Sequence, residues 1–206
     1  MSTLTERFPD TVEVQGRKIP IHSDFRTALF LEEIISQSED TISEEKLLEM
    51  LEAFYAVKML YTEEHVNKMF WFLSCGREKK KKRFPKKAAG INDEQPFDFV
   101  KDADLIYAGF MQQYHIDLQE TNLHWWKFMI LLENLGSETR LSRIMEYRTL
   151  DTNNKKLSKE ERSFYSAMQK YYAIRKDIVL TDREKAIEEA LLNGGDISGL
   201  LGGDKN

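Results

Sequence analysis

At 206 residues the chain is long enough to bury a core without disulfides or metals, and 41% hydrophobic with 32% charged residues argue against global disorder. The single cysteine, Cys75, excludes an internal disulfide, the first residues carry neither a basic start nor an apolar signal run, and no apolar stretch reaches the roughly 18 residues of a bilayer span. The net charge of −5 conceals a basic tract at 77–87, where eight Lys and Arg residues face Glu78 alone; the rest of the chain is strongly acidic, unlike a protein with a whole face built to neutralise phosphates.

The elements follow in order. Residues 11–22 alternate apolar and polar positions around Gln15-Gly16, with Val12 and Val14 before the turn and Ile19 and Ile21 after it, which predicts a small β-hairpin. Pro20 lacks a backbone donor and confines the second strand to an edge. From Asp24, a natural N-cap, the period becomes helical through Gln37, with Phe25, Ala28, Leu29, Leu31, Ile34 and Ile35 on one broad face. Thr41-Ile42-Ser43-Glu44 offers a capping box for a helix extending through Leu60, and Thr62 caps another that runs to a Gly76 stop.

Residues 77–96, with the basic run, Pro85, Pro96 and Gly90, bury too little apolar surface to offset ordering and read as a mobile loop or linker. It divides an N-terminal part, 1–76, from a C-terminal helical part, 97–193. Helices are expected over about 97–114, 122–135 and 137–149. Ser158-Lys159-Glu160-Glu161 opens a long one to about Asp177, Thr181 opens the last, and 194–206 form a flexible tail. The expected fold is mainly α, a helical bundle with a small N-terminal β-hairpin.

Catalytic and metal frames are missing from this pattern. His22, His65, His115 and His124 lie in no ligand spacing, no glycine loop joins a strand to a helix, and the paired glutamates alternate with apolar positions as on a solvated helix face. Cys75 precedes a basic run that could lower its thiol pKa, but no base partner is identifiable, and a half-buried structural cysteine is the better reading. Neither enzyme activity, cofactor nor metal is expected. The basic tract, Arg77, Lys79, Lys80, Lys81, Lys82 and Arg83, lacks an interleaved stacking platform apart from Phe84, so an electrostatic contact loop is favoured over nucleic-acid binding. Trp125 and Trp126 point about 100° apart on a helix: either one anchors the core while the other lies at its margin or in an interface, or both pack inside.

The most specific stretch is 102–151. Tyr107-Ala108, Phe110, Gln112-Gln113-Tyr114, Ile116-Asp117-Leu118, His124-Trp125-Trp126-Lys127-Phe128 and Ile144-Met145-x-Tyr147-Arg148, with weaker agreement at Asp24-Phe25-Arg26, make the chain resemble a family encoded among the tail-assembly genes of long-tailed bacteriophages, beside the tape-measure gene. The resemblance implies a siphophage tail assembly chaperone: a non-enzymatic protein of the host cytoplasm that binds the tape-measure protein, keeps it soluble and is absent from the mature virion. Other tail-assembly proteins or a second copy are further possible partners. Candidate partner-binding residues are Tyr114, Trp125, Trp126, Tyr147 and Arg148. A structural tail component retained in the virion, or a nucleic-acid-binding accessory protein, stand as the alternatives.

Overall fold

A computed structural model describes residues 3–38, 41–77, 89–154 and 156–174. Among them, strands β1 (Thr11–Val14) and β2 (Arg17–Pro20) precede seven helices: α1 (Phe25–Gln37), α2 (Glu44–Phe54), α3 (Glu63–Leu73), α4 (Ala103–Tyr114), α5 (Trp125–Glu133), α6 (Arg140–Thr149) and α7 (Lys159–Tyr172). The fold is mainly α with a two-stranded antiparallel hairpin, as expected. Basic residues Lys79 to Arg83, the last expected helix after Thr181 and the 194–206 tail lie outside the described residues.

Gln15 and Gly16 both take positive φ, 50° and 73°, as a two-residue turn matched to strand twist requires, and Val14 faces Arg17 across it. Val12 and Val14 enter the core, and β1 packs on α3. The chain then crosses to α2: Ile21 bridges Tyr55, the His22 amide donates to the Phe54 carbonyl, and the Ala56 amide donates to the Pro20 carbonyl. Pro20 therefore serves as an acceptor where it cannot donate. This crossing ends α2 at Phe54, six residues before the sequence-based limit of Leu60. Tyr55 is extended because the hairpin takes its backbone and its hydroxyl donates to the His65 carbonyl at 2.9 Å.

Other helix ends differ from the sequence reading for similar reasons. The turn after α3 is closed by the Cys75 amide donating to Phe72 and the Gly76 amide donating to Trp71, so Cys75, at φ 55°, takes the left-handed position expected of the glycine. Gly76 is also left-handed, and a Cβ there would lie 2.8 Å from Trp126 Cη2. α4 starts at Ala103 rather than Phe97, since the Asp98 carboxylate accepts from the Val100 and Lys101 amides and shapes a turn. α5 starts at Trp125, three residues late, because His124 caps it: Nδ1 accepts from the Trp126 amide at 3.0 Å while Nε2 faces the Pro9 carbonyl at 3.0 Å. The same segment zips to the start of α1, with the Phe25 amide donating to Leu123 and the Trp125 amide to Ser23.

The core draws on both sides of the 77–96 tract. Phe25 of α1 stacks on Phe128 of α5 with centroids 4.9 Å apart, Phe110 of α4 stacks on the same ring at 5.1 Å, and Leu31, Met50, Phe54, Met69 and Phe72 fill the layer toward the hairpin. The sequence division into 1–76 and 97–193 is thus not a division of the core; the described residues fall in one compact unit. Residues 89–96 also depart from the mobile loop expected over 77–96. Ile91 bridges Leu150, the Asn92 amide donates to Thr149, and the Asp151 amide donates to Gly90, so a sequence poor in apolar side chains is ordered through its backbone.

Candidate functional site

Trp125 and Trp126 are both buried, at 1% and 4% exposure. Trp125 Nε1 donates to the Leu73 carbonyl at 3.0 Å, and Trp126 Nε1 donates to the Phe72 carbonyl at 2.8 Å. Both indoles therefore satisfy the last carbonyls of α3 while filling the core, the second of the two arrangements open from sequence. Their role is to join α5 to α3, and neither ring offers a free surface. Tyr114 is half-buried; its hydroxyl donates to the Leu131 and Asn134 carbonyls at 2.9 and 3.1 Å and closes α4 on the end of α5.

Arg148 is buried as well. Its guanidinium forms a bidentate pair with Asp102, Nη1 to Oδ2 at 2.6 Å and Nη2 to Oδ1 at 3.0 Å. Asp102 also accepts from the Asp98 amide. Two further donations, Nη1 to the Pro96 carbonyl at 3.0 Å and Nε to the Tyr172 carbonyl at 2.6 Å, engage the remaining edge of the fork. A buried guanidinium needs this degree of satisfaction, because either charge alone in the interior would be costly. One side chain thus ties together the turn before α4, the segment preceding it, α6 and the end of α7.

Tyr147, the next residue back, leads outward. Its ring meets Phe164, Tyr165 and Tyr172 of α7 at 6.1, 6.1 and 6.0 Å, and the cluster continues to Tyr171 through its 4.8 Å contact with Tyr172. α7 contributes no buried residue, and Phe164 and Tyr171 are 49% and 79% exposed. Of the five residues expected to bind a partner, Tyr147 alone belongs to an aromatic surface; it and Arg148 both meet α7, while Trp125 and Trp126 lie apart in the interior and Tyr114 is half-buried between α4 and α5. The sequence reading missed the α7 aromatics. A signal was available: Phe164 and Tyr171, like Tyr165 and Tyr172, are seven residues apart and so return to nearly the same face after two turns.

Of the basic tract only Arg77 is described, and it is paired: Nη2 lies 2.7 Å from Glu133 Oε2. Burial outweighs its charge at Cys75, pushing that thiol up to about 11, so the lowered value considered from sequence does not hold. A depression lined by Ile21, His22, Asp24, Arg26 and His124 has its polar groups already engaged: Asp24 caps α1, Arg26 donates to the Leu118 and Gln119 carbonyls, and His124 caps α5. Among the described residues no His, Cys, Asp and Glu group could hold a metal ion, and no helix is long and apolar enough to cross a membrane.

A family model described as Bacteriophage Gp15 protein matches residues 4–174. No curated protein and no solved structure matches the chain. The match takes in the hairpin, all seven described helices and the Tyr147–α7 aromatic surface. The chain belongs to the Bacteriophage Gp15 protein family.

Proposed function

We propose that the protein acts without catalysis as a tail assembly chaperone: in the host cytoplasm it binds the phage tape-measure protein, keeps it soluble, and leaves as the tail tube polymerises. The family supports a bacteriophage protein, and the resemblance of 102–151 to tail-assembly proteins supports the rest. The observation that carries the binding role is the aromatic seam where Tyr147 of α6 meets Phe164, Tyr165 and Tyr172 of α7, a helix with no buried residue whose Phe164 and Tyr171 rings lie at the solvent. Tyrosine-rich surfaces of this kind give large contact area at low entropic cost, and an amphipathic helix is the form in which a long helical tape measure would present its apolar stripe. The buried Trp125 and Trp126 support the reading only by holding the scaffold.

Co-expression with the tape-measure protein of the same phage tests it. A soluble complex that co-purifies, together with absence from virions by mass spectrometry, is the expected result. An insoluble tape measure with no complex, and the protein recovered at fixed stoichiometry in virions, would replace the chaperone with a structural tail protein.

A further inference from the structure

Each of α1 to α6 buries at least three residues, and α7 buries none. The side of α7 toward α6, formed by Tyr165, Met168, Gln169 and Tyr172, is only half-covered, and no residue of α7 belongs to the core cluster. It is attached to α6 through the Tyr147 ring, which meets Phe164, Tyr165 and Tyr172, and through polar contacts near its C-terminus. Gln169 Nε2 donates to the Leu150 carbonyl at 2.6 Å, and Arg148 Nε donates to the Tyr172 carbonyl at 2.6 Å.

The platform beneath is built without α7. Arg148 keeps Asp102 and the Pro96 carbonyl whatever lies above it, and the Ile91–Leu150 bridge and the Asn92 side chain, donating to the Arg148 carbonyl, hold the rim. α7 in turn is locally self-sufficient at its start: Ser158 Oγ accepts from the Glu161 amide and Glu161 Oε2 accepts from the Ser158 amide, so its first turn borrows nothing from the rest of the protein. What the platform offers is general to helices. A guanidinium faces a terminal carbonyl, where a helix carries partial negative charge, the Leu150 carbonyl takes a side-chain amide from above beside the Asn92 amide it already accepts at 3.3 Å, and Tyr147 presents a ring to aromatics seven residues apart.

We propose that α7 occupies in the free protein the groove on α6 that a partner helix takes, and that binding displaces it. Resting on the chaperone reading, the occupant is an amphipathic helix of the tape-measure protein, with aromatic residues seven apart in place of Tyr165 and Tyr172 and a side-chain amide three positions before the second, in place of Gln169. α7 is then an internal competitor that keeps the aromatic groove covered until a matching helix arrives.

The test uses the full chain carrying Ala167→Pro. Ala167 is exposed, so the change removes no core contact, while proline in the middle of α7 breaks its helix. A fluorescent peptide of residues 158–174 should bind this variant at least about tenfold more tightly than the wild type, because the uncovered fraction of the groove sets the apparent affinity. The tape-measure protein should follow the same order, and hydrogen exchange of wild-type α7 should quicken in the complex while α6 stays protected. Gln169→Ala, which removes one latch and leaves the helix whole, should shift both affinities the same way by less. Equal peptide affinity for wild type and Ala167→Pro, or slower exchange of α7 in the complex, would overturn displacement. Peptide binding that follows the expected order, with no tape-measure binding to any form, would keep the groove and reject the tape measure as its partner.

Discussion

α5 and α7 carry similar aromatic loads and use them in opposite ways. α5 places Trp125, Trp126 and Phe128 in the interior, where Phe128 alone stacks with Phe25, Phe110 and Trp125. α7 carries Phe164, Tyr165, Tyr171 and Tyr172, and every one of its residues keeps contact with solvent. The difference lies in what surrounds the rings. α5 is apolar nearly all round, Trp-Trp-Lys-Phe-Met-Ile-Leu-Leu, and is enclosed by α1, α3 and α4; α7 opens on the charged run Lys159, Glu160, Glu161 and Arg162 and sets Lys170 between its two ring pairs, charges that must stay hydrated, and packs on α6. Aromatic content alone does not distinguish a core helix from a surface helix; the charged residues carried on the same helix do.

Substitutions put that contrast to the test. Phe128→Ala should cost about 3–5 kcal/mol in denaturant unfolding, since three stacked rings cannot collapse into the space it leaves. An effect below about 1 kcal/mol would mean that α5 is not the centre of the core. Asp102→Ala should cost about 3–4 kcal/mol by leaving Arg148 buried without its counter-charge. Adding Arg148→Met to it should restore much of the loss and at the same time free the end of α7, which loses its Tyr172 contact; urea melts and exchange rates would report the two separately. Gly76→Ala should cost about 1–3 kcal/mol, because its Cβ meets the rigid Trp126 ring at 2.8 Å in a left-handed backbone.

The α5 cap also makes stability depend on pH. Burial holds His124 below its ordinary value of 6.5, and its Nδ1 must stay unprotonated to accept the Trp126 amide. A group with a depressed folded pKa contributes stability that is complete above the unfolded value and is lost as pH falls through the folded one. Wild type should therefore lose stability from about pH 7 downward relative to His124→Asn, whose carbonyl keeps the cap without titrating. Parallel pH profiles for the two proteins would exclude His124 as the source. The smallest effect belongs to α7: Phe164→Ala should change stability by less than about 1 kcal/mol, in keeping with a half-exposed ring on a helix outside the core.

Much of the backbone is legible in the amino-acid sequence. The hairpin turn at Gln15-Gly16, the caps at Asp24 and Ser158, and the apolar faces of α1 and α3 each follow from residues within a turn or two of one another. The candidate site is less so. Sequence singles out Tyr147 and Arg148, but Arg148 finds its partner Asp102 46 positions away, and Tyr147 gains its meaning only from α7. Sequence does not choose between the two arrangements of Trp125 and Trp126, because the carbonyls that receive their indole donors belong to Phe72 and Leu73, more than fifty residues earlier.

Residue order alone settles where most helices and the hairpin begin, the helical class, and the aromatic and charge spacing of every face. Long-range packing settles that α2 stops at Phe54, that both tryptophans are interior, that residues 89–96 are pinned to the end of α6, and that the rings of α7 remain at the surface. The physical reason is range. Caps, turns and periodicity are set by hydrogen bonds and sterics among near neighbours in the chain, whereas burial and helix termination depend on which distant segment arrives to cover a face or claim a backbone group.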